Sequence, residues 1–549
     1  MALTGSDLVA RALHLQGNDT FFYIMGAPML SVESAALALG LRGIDVRHEQ
    51  AAAMAAHAYA RLRNRPGICM AASGPGTTNL ITGVAHAFVD CTPVIALGGS
   101  SPASQSHHGT FQEIDQLAML APCTKWSDRV QHAHRIPELL NRAIREAMSG
   151  KPGPVYLDLP ADVLFAEVDE AKVEWPEPWD PIRRSRPAAN AADIQAIADL
   201  LVKAEKPVII SGMGVLWSEA EPELQAFVEA SGCPFYTTPQ SRGAIPEDHE
   251  FCYLTARSTA FREADLILIV GTRMNYIIGH AAPPRFNGDA KLVRIDIDPE
   301  EIASSPRQPD IGVVADAKIA LAQLADAIRH RLGSDAFRAW RERLRGQNIS
   351  KLDEQEIILA DDATPIHPLR LCRELRDFMD RDAILCVDGQ EILNYGRQVI
   401  PTYKPRHRLN SGTFGTMGVG MPFGIGAKVA CPDKQVIVLH GDGSFGMNAM
   451  EFDTAVRHRL PILTVISLNG GWTGDPKRER PGRDLGYTRF DKMAAAFGGH
   501  AEYVEKPDDI RPALERAMAA VNAGQPALVN VVTDWRARAT TAAFTKYVT

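Results

Sequence analysis

Cysteine pairing is missing from this chain. Its eight cysteines (Cys69, Cys91, Cys123, Cys233, Cys252, Cys372, Cys386 and Cys431) are scattered over 549 residues, with no Cys-x-x-Cys pair. That excludes a disulfide-stapled scaffold and a zinc ribbon, and reads as reduced thiols of a cytoplasmic protein. A basic surplus is missing too. Lys and Arg number 58 against 66 Asp and Glu, a formal charge of −8, so no nucleic acid is expected as a partner. No apolar run approaches the ~18 residues of a membrane span. The first residues lack the charged-then-apolar pattern of a leader. They offer a helix start instead, with Thr4 or Ser6 as the cap ahead of Leu8 and Leu13. What remains is ordinary globular material, 46% apolar and 23% charged, and too long for one core.

Short apolar strands alternate with longer amphipathic helices throughout, the pattern of a parallel α/β architecture. Strands are predicted at 67–72, 93–97 and 155–159, then at 208–211, 266–270 and 292–297, then at 384–387, 436–440, 462–468 and 527–532. Two charged segments interrupt this rhythm. Residues 165–190 (with WPEPWDPIRRSRP) read as a linker, and 338–368 as a connector with some helix. The expected fold class is therefore α/β, three doubly wound parallel-sheet domains at 1–165, 190–335 and 366–535, with a tail at 536–549. Ligands of such sheets bind beyond the carboxyl ends of the strands.

Four segments carry chemistry. Gly441-Asp442-Gly443 is followed by Asn469, 27 positions beyond Asp442, with a helix at 448–459 and a strand between them. A carboxylate and an amide oxygen then sit at neighbouring strand tips, a set suited to Mg²⁺ holding a diphosphate. A plain turn is the other reading. His48-Glu49-Gln50 joins an extended run (44–47) to an alanine-rich helix. Glu49 is either a first-turn acid or a carboxylate for a heterocyclic nitrogen. Ser73-Gly74-Pro75-Gly76-Thr77-Thr78-Asn79 follows a strand and opens a helix. It cradles an anion, admits a flat ring, or is a bare turn. In Gly412-Thr413-Phe414-Gly415-Thr416-Met417-Gly418-Val419-Gly420, small residues isolate Met417. It is a core filler or a wedge beneath a ligand.

Taken together, HEQAA, SGPGTTN, GTFQE, GTFGTMGVG and GDG…N resemble, in order and spacing over nearly the whole chain, the thiamine-diphosphate-dependent enzymes of the acetolactate synthase and decarboxylase superfamily. The resemblance implies a pyrimidine-binding first domain, a Rossmann-like middle domain and a diphosphate-binding third domain. It implies thiamine diphosphate and Mg²⁺ as cofactors, with Asp442, Asn469 and the Gly471 carbonyl as metal ligands. It makes Met417 the prop under bent thiamine, and Glu49 the partner of the aminopyrimidine N1′. Gly26, Ser73, Gly76, Asn79, Gly389, Gly415, Gly441, Gly443 and Ser444 would line the cofactor. Glu49 and the metal loop would come from different subunits, giving at least a homodimer, with a homotetramer expected. Leu468-Asn469 departs from the family's Asn-Asn pair, but the metal-binding residue is the second of that pair.

The segments 256–258, 264–267, 271–276, 283–286 and 405–409 resemble the 2-hydroxyacyl-CoA lyase and oxalyl-CoA decarboxylase branch. That branch implies an acyl-CoA thioester substrate and ADP, with no FAD expected. Candidates for ADP or CoA are Lys151, Arg257, Asp296, Arg397, Arg406 and Arg408, with solvated loop charges as the plain alternative for Arg257 and Asp296. Met213 replaces a lysine common in the Gly-Lys-Gly turn. Phe111 and Gln112, and the tail 543–549 as an active-site lid or a frayed end, resemble the lyase rather than the decarboxylase. Trp472 and Thr473 are candidate substrate-pocket residues, with packing as the alternative for Trp472. The implied reaction is cleavage of the C1–C2 bond of a 2-hydroxyacyl-CoA to formyl-CoA and an aldehyde or ketone. Oxalyl-CoA decarboxylase, an acetolactate-synthase-like carboligase and a non-catalytic subunit are the alternatives.

Overall fold

A computed structural model describes residues 3–180, 184–472 and 478–539. Thr4 caps the first helix, Gly5–Leu15, in a reciprocal capping box with Asp7. The first large sheet is parallel throughout. Its spatial order is Arg42–Asp45, Thr20–Tyr23, Gly67–Ala71, Val94–Ser100, Val155–Pro160, Trp126–Arg129. The last large sheet runs Arg408–Asn410, Ile384–Asp388, Val436–Gly441, Leu463–Leu468, Ala527–Val532, His500–Val504, again all parallel. Numbered within each domain, both follow the order second, first, third, fourth, sixth, fifth. The middle sheet has five parallel strands: Phe235–Thr237, Pro207–Ser211, Leu266–Val270, Lys291–Asp296, Ile311–Val314. Among the described residues no helix is long and apolar enough to cross a membrane.

The sequence reading differs from the structure at the margins of the sheets. Of the six edge strands it offers only the extended run at 44–47. The edge strands are short and carry polar residues, as in Arg408–Asn410 and Trp126–Arg129, so they lack the continuous apolar run that marks a buried parallel strand. The interior strand Thr20–Tyr23 is fully buried but only four residues long. The segment read as a connector at 338–368 is mostly one helix of 22 residues, Arg338–Leu359. Its charge pattern hid the few buried contacts, Trp340, Arg341, Leu344 and Leu359.

Small residues fuse the first and third domains. Helix Glu49–Arg63 buries an unbroken run from Ala51 to Arg61. It packs on helix Gly420–Ala430, which is buried along its whole length. A Cβ on Gly426 would stand 2.2 Å from the Ala55 carbonyl oxygen, so only glycine permits this approach. One apolar core spans both helices and sheets.

Polar groups tie in the middle domain. Asp90 of the first domain accepts from Gln240 Nε2 at 2.7 Å and from the Thr413 amide at 3.2 Å. His86 Nε2 lies 3.1 Å from the same carboxylate. Arg242 forms a buried two-point pair with Glu247, at 2.6 and 2.5 Å, and also donates to the Ile400 carbonyl at 3.0 Å. Glu247 in turn accepts from the Thr402 amide at 2.7 Å. Glu247→Ala would strand a buried guanidinium. The expected cost is ~3–5 kcal/mol, read as a lowered unfolding midpoint in a denaturant titration; an unchanged midpoint would refute it.

Candidate active site

Strands Val436–Gly441 and Leu463–Leu468 pair in parallel, with Gly441 opposite Ser467. Asp442 and Asn469 therefore leave the sheet side by side at its carboxyl end. Asp442 is buried. One carboxylate oxygen accepts from the Gly443 amide at 2.8 Å and the other from the Gly470 amide at 2.7 Å. Burial nonetheless raises its pKa to about 6, against the pull of the Gly443, Gly470 and Gly471 amides. Among the described residues it has no ion-pair partner. Asn469 Oδ1 accepts from the Gly471 amide at 3.1 Å, and the Arg478 guanidinium donates to the Asn469 carbonyl. The turn is closely packed. A Cβ on Gly443 would meet the Trp472 ring at 2.6 Å, and one on Gly389 (φ +118°) would meet the Gly441 nitrogen at 3.2 Å. Trp472 thus packs on the turn itself. Ser444 Oγ donates to the Gly441 carbonyl at 3.0 Å. The helix read at 448–459 is shorter, Glu451–Arg457, and a separate helix, Asp442–Met447, precedes it at the turn.

Sequence reasoning passed over Asp388, at the tip of strand Ile384–Asp388. It is fully buried, accepts from the Gly420 amide at 2.9 Å, and has its pKa raised to about 6 by burial. The Val-Asp-Gly ending of its strand was the available signal. The Met417 loop lies alongside. Gly412, Gly415 and Gly418 all have positive φ, which only glycine adopts freely. Thr413 is held by Asp90, by Asn275 Nδ2 at 3.2 Å on its hydroxyl, and by the Tyr276 hydroxyl at 3.0 Å on its carbonyl. Met417 is half-buried at the far end of the loop.

The first domain presents Glu49 as the opening residue of its helix, with His48 as the cap. Glu49 Oε2 accepts from Asn79 Nδ2 at 2.9 Å. A Cβ on Gly76 would lie 3.5 Å from Glu49 Oε1. The Ser73 amide donates to the Ala27 carbonyl at 3.1 Å, and a Cβ on Gly26 would touch Ala72 at 2.6 Å. Glu49, Asn79, Gly76, Ser73 and Gly26 are thus gathered in one place. Gln112 joins them through its carbonyl, which accepts from Ser73 Oγ at 3.2 Å; its backbone is left-handed, φ +60°. Phe111 is 82% exposed. The buried Gln116 was missed. It accepts from the Gly74 amide at 3.0 Å and donates to Asp158 at 2.7 Å, fixing the glycine loop to the sheet. Its place in GTFQEIDQ was the clue.

Three family models cover most of the chain. The N-terminal TPP binding domain of thiamine pyrophosphate enzymes matches residues 3–119, the central domain 194–324, and the C-terminal TPP binding domain 392–531. A 2-hydroxyacyl-CoA lyase from Arabidopsis thaliana is 35% identical, with 97% of this chain and 96% of that protein covered. An acetolactate synthase large subunit from Mycobacterium tuberculosis is 35% identical (96% and 95%), and an oxalyl-CoA decarboxylase from Escherichia coli 34% identical (96% and 95%). The chain belongs to the thiamine pyrophosphate enzymes. It is a thiamine-diphosphate-dependent carbon–carbon lyase.

For a thiamine pyrophosphate enzyme the Asp442 loop fits its cofactor. A buried carboxylate with no cation beside it among the described residues, and an amide oxygen on the next strand tip, make a hard oxygen set for Mg²⁺. The outlying candidates divide. Lys151 and Asp296 do share a cleft with Met213, Gly271 and Thr413. There, however, the Lys151 ammonium is taken by Asp298 and by Glu301 at 3.2 Å. Burial raises the Asp296 pKa to about 6. Arg257 and Arg397 lie elsewhere, near each other and near Arg242. Burial, then the charges of Arg242 and Arg257, lower the Arg397 pKa to about 10. Two candidates are corrected. Arg406 is engaged by Glu221 at 2.6 Å and by the Leu216 carbonyl. Arg408 is buried inside its strand and donates to the Ile400 carbonyl at 3.1 Å. Neither guanidinium is open to a ligand. Thr473 and the tail 543–549 lie outside the described residues.

Proposed function

We propose that this enzyme cleaves the C1–C2 bond of a 2-hydroxyacyl-CoA to formyl-CoA and an aldehyde or ketone, and that the condensation runs in reverse. The observation that carries the CoA half is the Arg257–Arg397 pair. Among the described residues neither makes an ion pair, and the Arg257 charge is among those that lower the Arg397 affinity for its proton. Two neighbouring guanidiniums with no ion-pair partner among the described residues favour a phosphate, which Arg recognises well. A pyruvate-type substrate has no use for them. ADP is the nucleotide proposed for the middle-domain cleft, with Asp296 as acceptor for its ribose hydroxyls. The tied Lys151 and the apolar Met213 leave its phosphates less well served there.

The bound cofactor supplies an electron sink for the pair released when a bond next to a carbonyl breaks. The chain's own residues do the rest. Asp442 and Asn469 hold Mg²⁺, with Gly471 offering its carbonyl. Met417 supports the ring system. Glu49 holds a proton at the pyrimidine N1′. Gln112 and Phe111 stand beside the Glu49 cluster, where an amide can hydrogen-bond the substrate hydroxyl and a ring can cover it. Large apolar side chains are exposed on this side of the molecule, among them Phe111, Met25, Met447 and Phe414. They suit coverage by a second copy, supporting a homodimer at least, with a homotetramer as the full assembly. A cytoplasmic location is proposed on the thiol content alone.

The test is a panel of 2-hydroxyacyl-CoA thioesters, short, long and branched, with chromatographic detection of formyl-CoA. Formyl-CoA with a stoichiometric carbonyl product is the expected result. CO₂ from oxalyl-CoA, or from pyruvate, without formyl-CoA from any hydroxyacyl thioester would move the enzyme to the decarboxylase or synthase reading.

A further inference from the structure

Two buried residues outside the motifs connect the segment after the Asp442 turn to the junction that delivers Glu49. Glu451 opens helix Glu451–Arg457 and is 1% exposed. Its carboxylate accepts from the Arg47 amide, at 3.0 Å on one oxygen and 3.3 Å on the other, and from Thr454 Oγ1 at 2.7 Å. The His48 amide also donates to it. Asn448 accepts from Gln50 Nε2 at 2.9 Å and donates to the Gly418 carbonyl at 2.7 Å. The backbone before Glu49 and the side chain after it are thus both pinned to the third domain. Through Gly418 the same clamp reaches the residue next to Met417.

Adhesion between domains does not explain it. The outer face of this contact already has its ion pairs. Arg457 meets Asp45 at 2.5 Å, His458 meets Asp45 at 2.7 Å, and Arg47 meets Asp453 at 3.4 Å. A buried carboxylate is a costly way to add adhesion. Its pKa is pushed up to about 7 by burial, against its hydrogen bonds and the Arg457 charge. What its two oxygens do that a surface pair cannot is fix backbone amides in place.

We propose that Glu451 and Asn448 are positioning residues for Glu49, fixing the residues on either side of it and so the direction of its carboxylate. This rests on the reading of Glu49 as the group that holds the pyrimidine proton. A small displacement of such a group costs far more in rate than in binding.

The experiment uses the full-length enzyme loaded with thiamine diphosphate and Mg²⁺. Two quantities are read without any substrate: the rate of C2–H exchange of the bound cofactor in deuterated buffer, by acid quench and NMR, and cofactor affinity, by quenching of tryptophan fluorescence. Glu451→Gln and Asn448→Ala are each expected to slow exchange roughly tenfold or more, with affinity within about threefold of wild type. Introduced into Glu49→Gln, neither should slow exchange further, because residues acting through one group are non-additive. Wild-type exchange in both single variants would overturn the proposal. So would a full, additive slowing on the Glu49→Gln background, or an affinity loss as large as the rate loss. Should Glu451→Gln fail to fold, Asn448→Ala decides alone. If Glu49→Gln itself exchanges like wild type, the reading of Glu49 falls first and the clamp with it. If Glu49→Gln is slow and the clamp variants are not, only the clamp falls.

Discussion

Asp442→Ala lowers turnover by about 10³-fold and weakens Mg²⁺-dependent binding of thiamine diphosphate by a similar factor. A metal bridge to a diphosphate contributes several kcal/mol, and about 4 kcal/mol is a factor of about 10³. Three features make this the largest expected effect. The carboxylate is buried, its pKa is raised to about 6 by that burial, and among the described residues no other carboxylate stands at that strand tip to take its place as a ligand; Asp388, on the neighbouring strand, is engaged by the Gly420 amide. Alanine also frees the Gly443 and Gly470 amides, so the turn loses its own closure. Calorimetric titration of the metal-stripped protein with cofactor, with and without Mg²⁺, measures the effect. Unchanged binding in Asp442→Ala would remove the metal assignment.

Glu49→Gln separates binding from chemistry. Glutamine keeps the length of the side chain and can still accept from Asn79 Nδ2, so the helix start and the glycine loop stay in place. It cannot hold and return a proton at the pyrimidine. A positioned acid–base group is worth ~10²–10⁴-fold, so turnover falls by that range while cofactor affinity changes less than about tenfold. Steady-state kinetics beside the same titration gives both numbers. A proportional loss of affinity and turnover would make Glu49 a structural acid of the helix start, the plainer of its two sequence readings.

Most buried strands were readable because each is a run of consecutive apolar residues, as in Leu266–Val270 and Leu463–Leu468. The edges were not, because a few residues that mix polar with apolar side chains, such as Arg408–Asn410, carry no periodic signal. The cofactor was legible for a related reason. Gly-Asp-Gly, Asn469, Glu49 and the Met417 loop are local signatures tied to strand ends, where the backbone is most constrained. Residues that act by reaching across the fold left no such trace. Gln116, Asn448 and Glu451 look like ordinary helix polar groups until the elements they grip are brought together. The arginines failed differently. Sequence shows a guanidinium but not its partner, so Arg406, spent on Glu221, stood as a candidate beside Arg397.

The shared strand order of the first and third sheets has a consequence for how the molecule divides its labour. In both, the third strand of the domain ends in a glycine-bearing turn that begins a helix. In one copy that strand is Gly67–Ala71 and the turn holds Ser73, Gly74 and Gly76. In the other it is Val436–Gly441 and the turn holds Asp442 and Gly443. In the proposed site one address in the topology would thus serve two recognition tasks, a flat heterocycle at one copy and a charged oxyanion at the other. The chain reads as a repeated module whose twin sockets have been specialised for opposite ends of a single long molecule. A mutation that swaps the two turns should leave each sheet intact and strip the protein of both.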